Sequence, residues 1–138
     1  MQTKQIVFTK PNTAELLNKE IKQVSGTLVK VKTQFSTVSC GTERANIIGD
    51  PNVSASQSAR VVFPRIPGYC SSGIVEEVGE SVTSVKPGDR VAMYWSTHSE
   101  YNLLEEAQLV KIEDDNLSMQ EAAVAFITTF PLAAIRKT

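Results

Sequence analysis

Apolar and polar residues alternate most clearly between Leu28 and Ser36, where Val29, Val31, Thr33 and Phe35 fall on one side and Lys30, Lys32, Gln34 and Ser36 on the other. A period of two belongs to a strand with one buried face. By the same reasoning Lys4 to Thr9 forms a first strand, with Ile6 and Phe8 on one face and Val7 opposite, before a Pro11-Asn12 turn. Leu16, Leu17 and Ile21 could share a helical face, but the stretch is short and its neighbour is plainly β. A second strand or an irregular segment is therefore predicted there.

Further along, Ile74 and Val75 lie in a β-branched run bounded by Pro67-Gly68 and Gly79, which predicts a strand that bends at its ends. Lys86-Pro87-Gly88-Asp89 has the residues of a type II turn, with proline at the first central position and glycine at the second. Strands are then expected over Arg90 to Tyr94, around Asn102-Leu103-Leu104, and over Ala107 to Ile112.

Between these elements the pattern breaks twice. Thr37 to Arg44 loses its alternation and presents the small polar group Ser39-Cys40-Gly41-Thr42-Glu43-Arg44, of the kind that lines clefts. Asp50 to Ala59 reads as an exposed, mobile loop. Near the end, Ser118 followed by Glu121 makes a capping box for an alanine-rich helix from Met119 to Ile127. Pro131 interrupts it, and an N-cap at Thr128 or Thr129 places that proline in the first turn of a second helix, which stops with the chain at Thr138. That ending reads as a cut through a longer protein.

Composition narrows the function. A chain of 138 residues suffices for one domain with a sizeable core. Its 14 basic and 15 acidic residues are interspersed, leaving no footprint for nucleic acid or an anionic membrane. No apolar run approaches the roughly 20 residues of a membrane span, and the N-terminus has no signal-peptide core, so a cytoplasmic location is expected. Two cysteines, Cys40 and Cys70, make no disulfide framework; they are either free thiols or metal ligands.

Four segments taken together carry a family resemblance: Cys40-Gly41-Thr42-Glu43, Pro67-Gly68 through Gly73-Ile74-Val75-Glu76-Glu77-Val78-Gly79, Val85-Lys86-Pro87-Gly88-Asp89-Arg90-Val91, and His98-Ser99-Glu100-Tyr101. In this order and spacing the chain resembles the N-terminal, GroES-like domain of the medium-chain dehydrogenase/reductase superfamily, the zinc-type alcohol dehydrogenases and quinone reductases. The resemblance implies a mainly β fold, a partly open GroES-like barrel over residues 1–117. Residues 118–138 would then be the helical start of a connection to a missing Rossmann domain. It also implies hydride transfer between NAD or NADP, bound by that absent domain, and a small-molecule alcohol, carbonyl or enone. A homo-oligomer formed through the missing domain is possible. No G-x-G-x-x-G follows a strand here, so the fragment alone is expected neither to bind the cofactor tightly nor to turn over.

The resemblance carries site residues with it. Cys40 matches a catalytic zinc ligand, Thr42 the hydroxyl that passes on the substrate proton, and Glu43 a carboxylate that orients a histidine. That histidine is absent: Tyr69 stands in its place, and Cys70 replaces the adjacent glutamate. A phenol with an ordinary pKa near ~10 is a poor zinc ligand. A zinc-free or degenerate site is therefore expected, with Tyr69 and Thr42 as polarising hydroxyls. A metal held by Cys40 and Cys70 with Glu43 is the other possibility, and Cys70 as a small buried hydrophobe is the plainer reading of that residue. His98 is expected to be structural, Glu100 to pin its loop with Arg90 as partner, and Tyr94 and Trp95 either to line a pocket or to pack at the barrel end. A non-catalytic GroES-like assembly module or scaffold is the alternative function.

Overall fold

A computed structural model describes residues 1–51 and 62–136. Seven strands lie among them: β1 (Gln2–Lys10), β2 (Thr13–Glu20), β3 (Leu28–Ser36), β4 (Cys70–Val78), β5 (Arg90–Tyr94), β6 (Tyr101–Glu105) and β7 (Leu109–Lys111). Three helices accompany them: α1 (Cys40–Ile48), α2 (Met119–Ala123) and α3 (Thr129–Ile135). β1 and β2 form an antiparallel ribbon, and the other five make an open antiparallel sheet in the order β6-β3-β4-β5-β7. The fold is mainly β, and the sheets do not close into a barrel among the described residues.

The core lies on one face of the five-stranded sheet. Val29 and Val31 of β3, Val75 of β4, Val91 and Met93 of β5 and Leu104 of β6 are buried together with Val85, and Val78, Val82 and Leu109 pack against them. Burying each large apolar side chain contributes about 1.5–3 kcal/mol, so this cluster supplies most of the sheet's cohesion. β3 occupies Leu28–Ser36, the range its alternation predicts. At Lys86-Pro87-Gly88-Asp89 the Asp89 amide donates to the Lys86 carbonyl at 3.1 Å and Gly88 has φ +91°, as a type II turn requires.

Several expectations are corrected. β1 buries Thr3, Gln5 and Val7, while Ile6 is exposed. The buried polar pair faces the segment before β6: Gln5 Nε2 donates to Thr97 Oγ1 at 3.0 Å, and Thr3 Oγ1 accepts from the Tyr101 amide at 2.9 Å. Phe8 is buried as well, and the β1–β2 register shifts between Phe8 and Lys10. The polar stretch after Thr37 is helical from Cys40. The last strand is only Leu109–Lys111, preceded by a 3₁₀ turn over Glu106–Gln108. Arg90 pairs with Asp115 at 3.8 Å and donates to the carbonyls of Asp114 and Leu117, not to Glu100, which is exposed. The loop expected over Asp50 to Ala59 lies mostly outside the described residues.

The Ser118–Glu121 capping box forms in both directions, with Ser118 Oγ accepting from the Glu121 amide at 3.2 Å and Glu121 Oε2 accepting from the Ser118 amide at 2.9 Å. α2 nevertheless ends at Ala123, short of Ile127. The Ala123 carbonyl is taken by two side-chain donors from the sheet, Thr37 Oγ1 at 2.7 Å and Cys70 Sγ at 2.6 Å, and the chain continues in tight turns to α3. Thr128 is the N-cap of α3, which puts Pro131 in its first turn as expected. No helix among the described residues is long and apolar enough to cross a membrane.

Candidate functional site

The site is assembled where α1, the Pro67–Tyr69 bend and the segment after β5 meet. α1 begins after Ser39 and ends at Gly49, whose φ of +72° suits a glycine cap. Cys40 and Thr42 are exposed on its first turn, while Glu43, one turn from Cys40, is buried. Ser39 Oγ donates to Thr42 Oγ1 at 3.2 Å, which leaves the Thr42 hydroxyl proton free for another acceptor.

Glu43 turns inward onto His98. His98 Nε2 lies 3.3 Å from Glu43 Oε1, and its Nδ1 lies 2.9 Å from Ser36 Oγ. The other carboxylate oxygen, Glu43 Oε2, is buried without a hydrogen-bond partner. The His98 backbone fixes the same region: its amide donates to the Pro67 carbonyl at 3.2 Å, and its carbonyl accepts from Ile6 at 2.9 Å. Gly68 lies against it with φ +107°, and a Cβ there would meet the His98 nitrogen at 2.7 Å. Only glycine fits both the backbone and the space, so the His98 segment sets where Tyr69 leaves the bend.

Tyr69 is half-buried, and its carbonyl accepts from the Trp95 amide at 2.7 Å. Its ring lies edge-on to Phe126 with centroids 6.1 Å apart; Tyr94 stacks on Phe126 at 5.8 Å, and Trp95 and Phe130 lie 6.1 and 5.9 Å from it. Phe126 is thus the hub of an aromatic cluster that includes both Tyr94 and Trp95. Trp95 is 65% exposed and has φ +56°, a left-handed conformation unusual for a bulky side chain. An apolar cleft of about 180 Å³ opens beside the cluster, with Cys70, Met93, Tyr94, Val110, Phe126 and Thr129 among its walls.

Cys70 is buried against α2. Its thiol donates to the Ala123 carbonyl, and burial pushes its pKa up, against the opposing pull of the Phe126 and Ile127 amides. A neutral thiol engaged in this way is not a metal-ready thiolate. Cys40 is exposed on α1, and both nitrogens of His98 are occupied by Ser36 and Glu43. Among the described residues no three His, Cys, Asp or Glu side chains gather as a metal would require. Among the described residues, the donors do not by themselves make up a zinc site.

The structure therefore brings Glu43 together with His98, and Tyr69 together with the aromatic cluster, while Cys70 faces α2. Two participants were not foreseen from the sequence, Ser36 as the partner of His98 and Phe126 as the aromatic hub. Ser36 lies on the polar side of a strand, and Phe126 lies in a stretch that reads as an ordinary helix; neither carries a local signal.

Comparison with known proteins is consistent with this geometry. The family model of the alcohol dehydrogenase GroES-like domain matches residues 26–123. An alcohol dehydrogenase from Moraxella sp. is 42% identical over 67 residues, covering 49% of this chain and 18% of that protein. The structure of a quinone oxidoreductase from Pseudomonas syringae is 28% identical with a TM-score of 0.69, covering 88% of this chain and 37% of the other. The structure of CAD from Helicobacter pylori in complex with NADP(H) shares the fold at a TM-score of 0.78 and 17% identity, covering 99% of this chain and 49% of that one. The chain spans about a quarter or less of the curated relatives it matches.

Proposed function

Because this chain belongs to the family of alcohol dehydrogenase GroES-like domains, we propose that it is the substrate-binding part of an NAD(P)-dependent dehydrogenase or reductase. The intact protein would act on a small alcohol, carbonyl or enone without a catalytic zinc. The observation that carries this reading is Tyr69, in the place of the family's zinc-binding histidine and wedged between the Gly68 bend and Phe126. A nicotinamide cofactor, when bound by a nucleotide-binding domain outside this sequence, would supply the hydride.

The residues of this chain handle the substrate oxygen. Thr42, with its own oxygen accepting from Ser39, keeps its proton to donate to that oxygen. The Tyr69 phenol is a second donor, on a ring held by the edge of Phe126. Two neutral donors reaching one substrate oxygen would stabilise the negative charge that develops there as hydride arrives. The cluster of Tyr94, Trp95 and Phe126, which Tyr69 also meets, would then stand beside the substrate.

The test is made on the full-length protein. Titration with NADH and NADPH, followed by cofactor fluorescence, is expected to show binding, and elemental analysis is expected to show no stoichiometric metal. Absence of cofactor binding overturns the oxidoreductase reading. Stoichiometric zinc that is lost in Cys40→Ser overturns the zinc-free site.

A further inference from the structure

Ser36, His98 and Glu43 form one unbroken row of hydrogen bonds that hydride transfer does not use. Ser36 Oγ lies 2.9 Å from His98 Nδ1, and His98 Nε2 lies 3.3 Å from Glu43 Oε1. A carboxylate can only accept, so Glu43 fixes the imidazole tautomer with its proton on Nε2. Nδ1 is then left with a lone pair aimed at the Ser36 hydroxyl. Hydroxyl, imidazole and orienting carboxylate thus stand in the relation of nucleophile, general base and positioning acid, with the two ring nitrogens exchanged from the usual assignment.

Exposure runs in the direction such a site needs. His98 and Glu43 are each only 7% exposed, whereas Ser36, at the end of β3, is open to solvent. The next residue, Thr37, is pinned by its amide to the Cys70 carbonyl at 3.0 Å, so the serine backbone is anchored. A second observation is independent of that row. Glu43 Oε2 is buried with no partner, and leaving a buried acceptor unmet costs about 1–3 kcal/mol. A clamp serving stability alone would satisfy both oxygens or replace the pair by apolar groups. A carboxylate that steadies an imidazole as it gains and loses a proton accounts for the cost.

We propose that Ser36 is a nucleophile for activated acyl groups, with His98 as its base and Glu43 as the positioning residue. Ser36 Oγ bonds to the carbonyl carbon of an ester while its proton passes to His98 Nδ1. The bond from that carbon to the leaving oxygen then breaks, and the leaving alcohol or phenol takes the proton from Nδ1. Water, deprotonated by the same nitrogen, releases the acid and restores the serine. No oxidant, reductant or metal enters. The activity is independent of hydride transfer, so the failure of either reading leaves the other standing.

The 138-residue chain is treated with 4-nitrophenyl acetate and, separately, with a fluorophosphonate, and adducts are located by peptide mass spectrometry. The adduct is expected on Ser36, to be absent in Ser36→Ala, and to form about 100-fold more slowly in His98→Asn and Glu43→Gln. Glu43→Asp is expected to restore part of the rate. Should His98→Asn not fold, Glu43→Gln, checked by circular dichroism against the parent, carries the comparison. Acylation confined to lysines, no adduct on Ser36, or a Ser36 adduct that forms at an undiminished rate in Glu43→Gln overturns the proposal.

Discussion

The thiol of Cys70 donates to the backbone carbonyl of Ala123 at 2.6 Å, and this contact couples the head of β4 to the turn that carries Phe126. Ser72, two residues on, repeats the connection by donating to the Met119 carbonyl at 2.5 Å. The aromatic hub is thereby held by the same strand that begins just after Tyr69.

Cys70→Ala removes a buried donor while Thr37 still satisfies the Ala123 carbonyl, so a loss of about 0.5–1.5 kcal/mol in urea unfolding is expected. The two thiols are also expected to separate by reactivity. A disulfide reagent titrates Cys40 rapidly in the native protein, whereas Cys70, buried and with its thiol pKa pushed up, reacts only after denaturant is added. Rapid titration of both thiols in the native state would contradict the burial of Cys70 against α2.

Two glycines should respond to alanine in opposite senses. Gly68→Ala forces a left-handed alanine into the His98 backbone and is expected to cost about 1–3 kcal/mol or more. Gly41→Ala lies in the first turn of α1 with open space around its Cβ position, and is expected to stabilise by about 0.5–1 kcal/mol. Thermal melts of the two variants beside the parent decide both signs.

Asp89 closes the Pro87-Gly88 turn: the Lys86 amide donates to its Oδ2 at 2.9 Å, and Lys111 Nζ lies 3.0 Å away. The Lys111 contact, with help from the Lys86 amide, lowers the carboxyl's pKa below its ordinary value. A depressed carboxylate stabilises above its unfolded pKa, and that contribution fades as pH falls through the folded one. Asp89→Asn is therefore expected to be less stable than the parent at neutral pH, with the gap narrowing in acid. Urea midpoints measured from pH 7 down to pH 3 show whether it does.

In the full-length protein, Thr42→Val and Tyr69→Phe each remove a proton donor without changing the side chain's bulk. Under the hydride-transfer reading each lowers kcat by about 100-fold or more while leaving cofactor affinity within a factor of two. Loss confined to KM in both variants would mean that these hydroxyls bind substrate without assisting the chemistry.

Much of the frame is legible from residue type alone. β3 alternates because one of its faces covers the Val29–Val31 core, the Ser118–Glu121 pair caps α2, and Pro87-Gly88 dictates its turn. α1 is not legible from apolar periodicity, because the only residue it buries is a glutamate. Its signals were at its ends, with Ser39 before it, Glu43 in its first turn and Gly49 after it. The inward face of β1 is not legible for a related reason: Thr3 and Gln5 are buried through long-range hydrogen bonds to residues near 100, which no local pattern records. At the site, the family resemblance implies that Tyr69 stands where a histidine is expected and puts His98 and Glu43 in motif segments. That the two meet depends on the Gly68 bend, a tertiary fact.

Trp95 holds a backbone conformation that glycine or asparagine adopts at little cost, at an expense of about 1–3 kcal/mol for a bulky residue. A library randomised at this position and screened only for heat resistance would drift away from the indole. Under the hydride-transfer reading, the same library screened for turnover in the full-length protein would drift back. The divergence between the two screens would measure how far this molecule trades robustness for its aromatic wall.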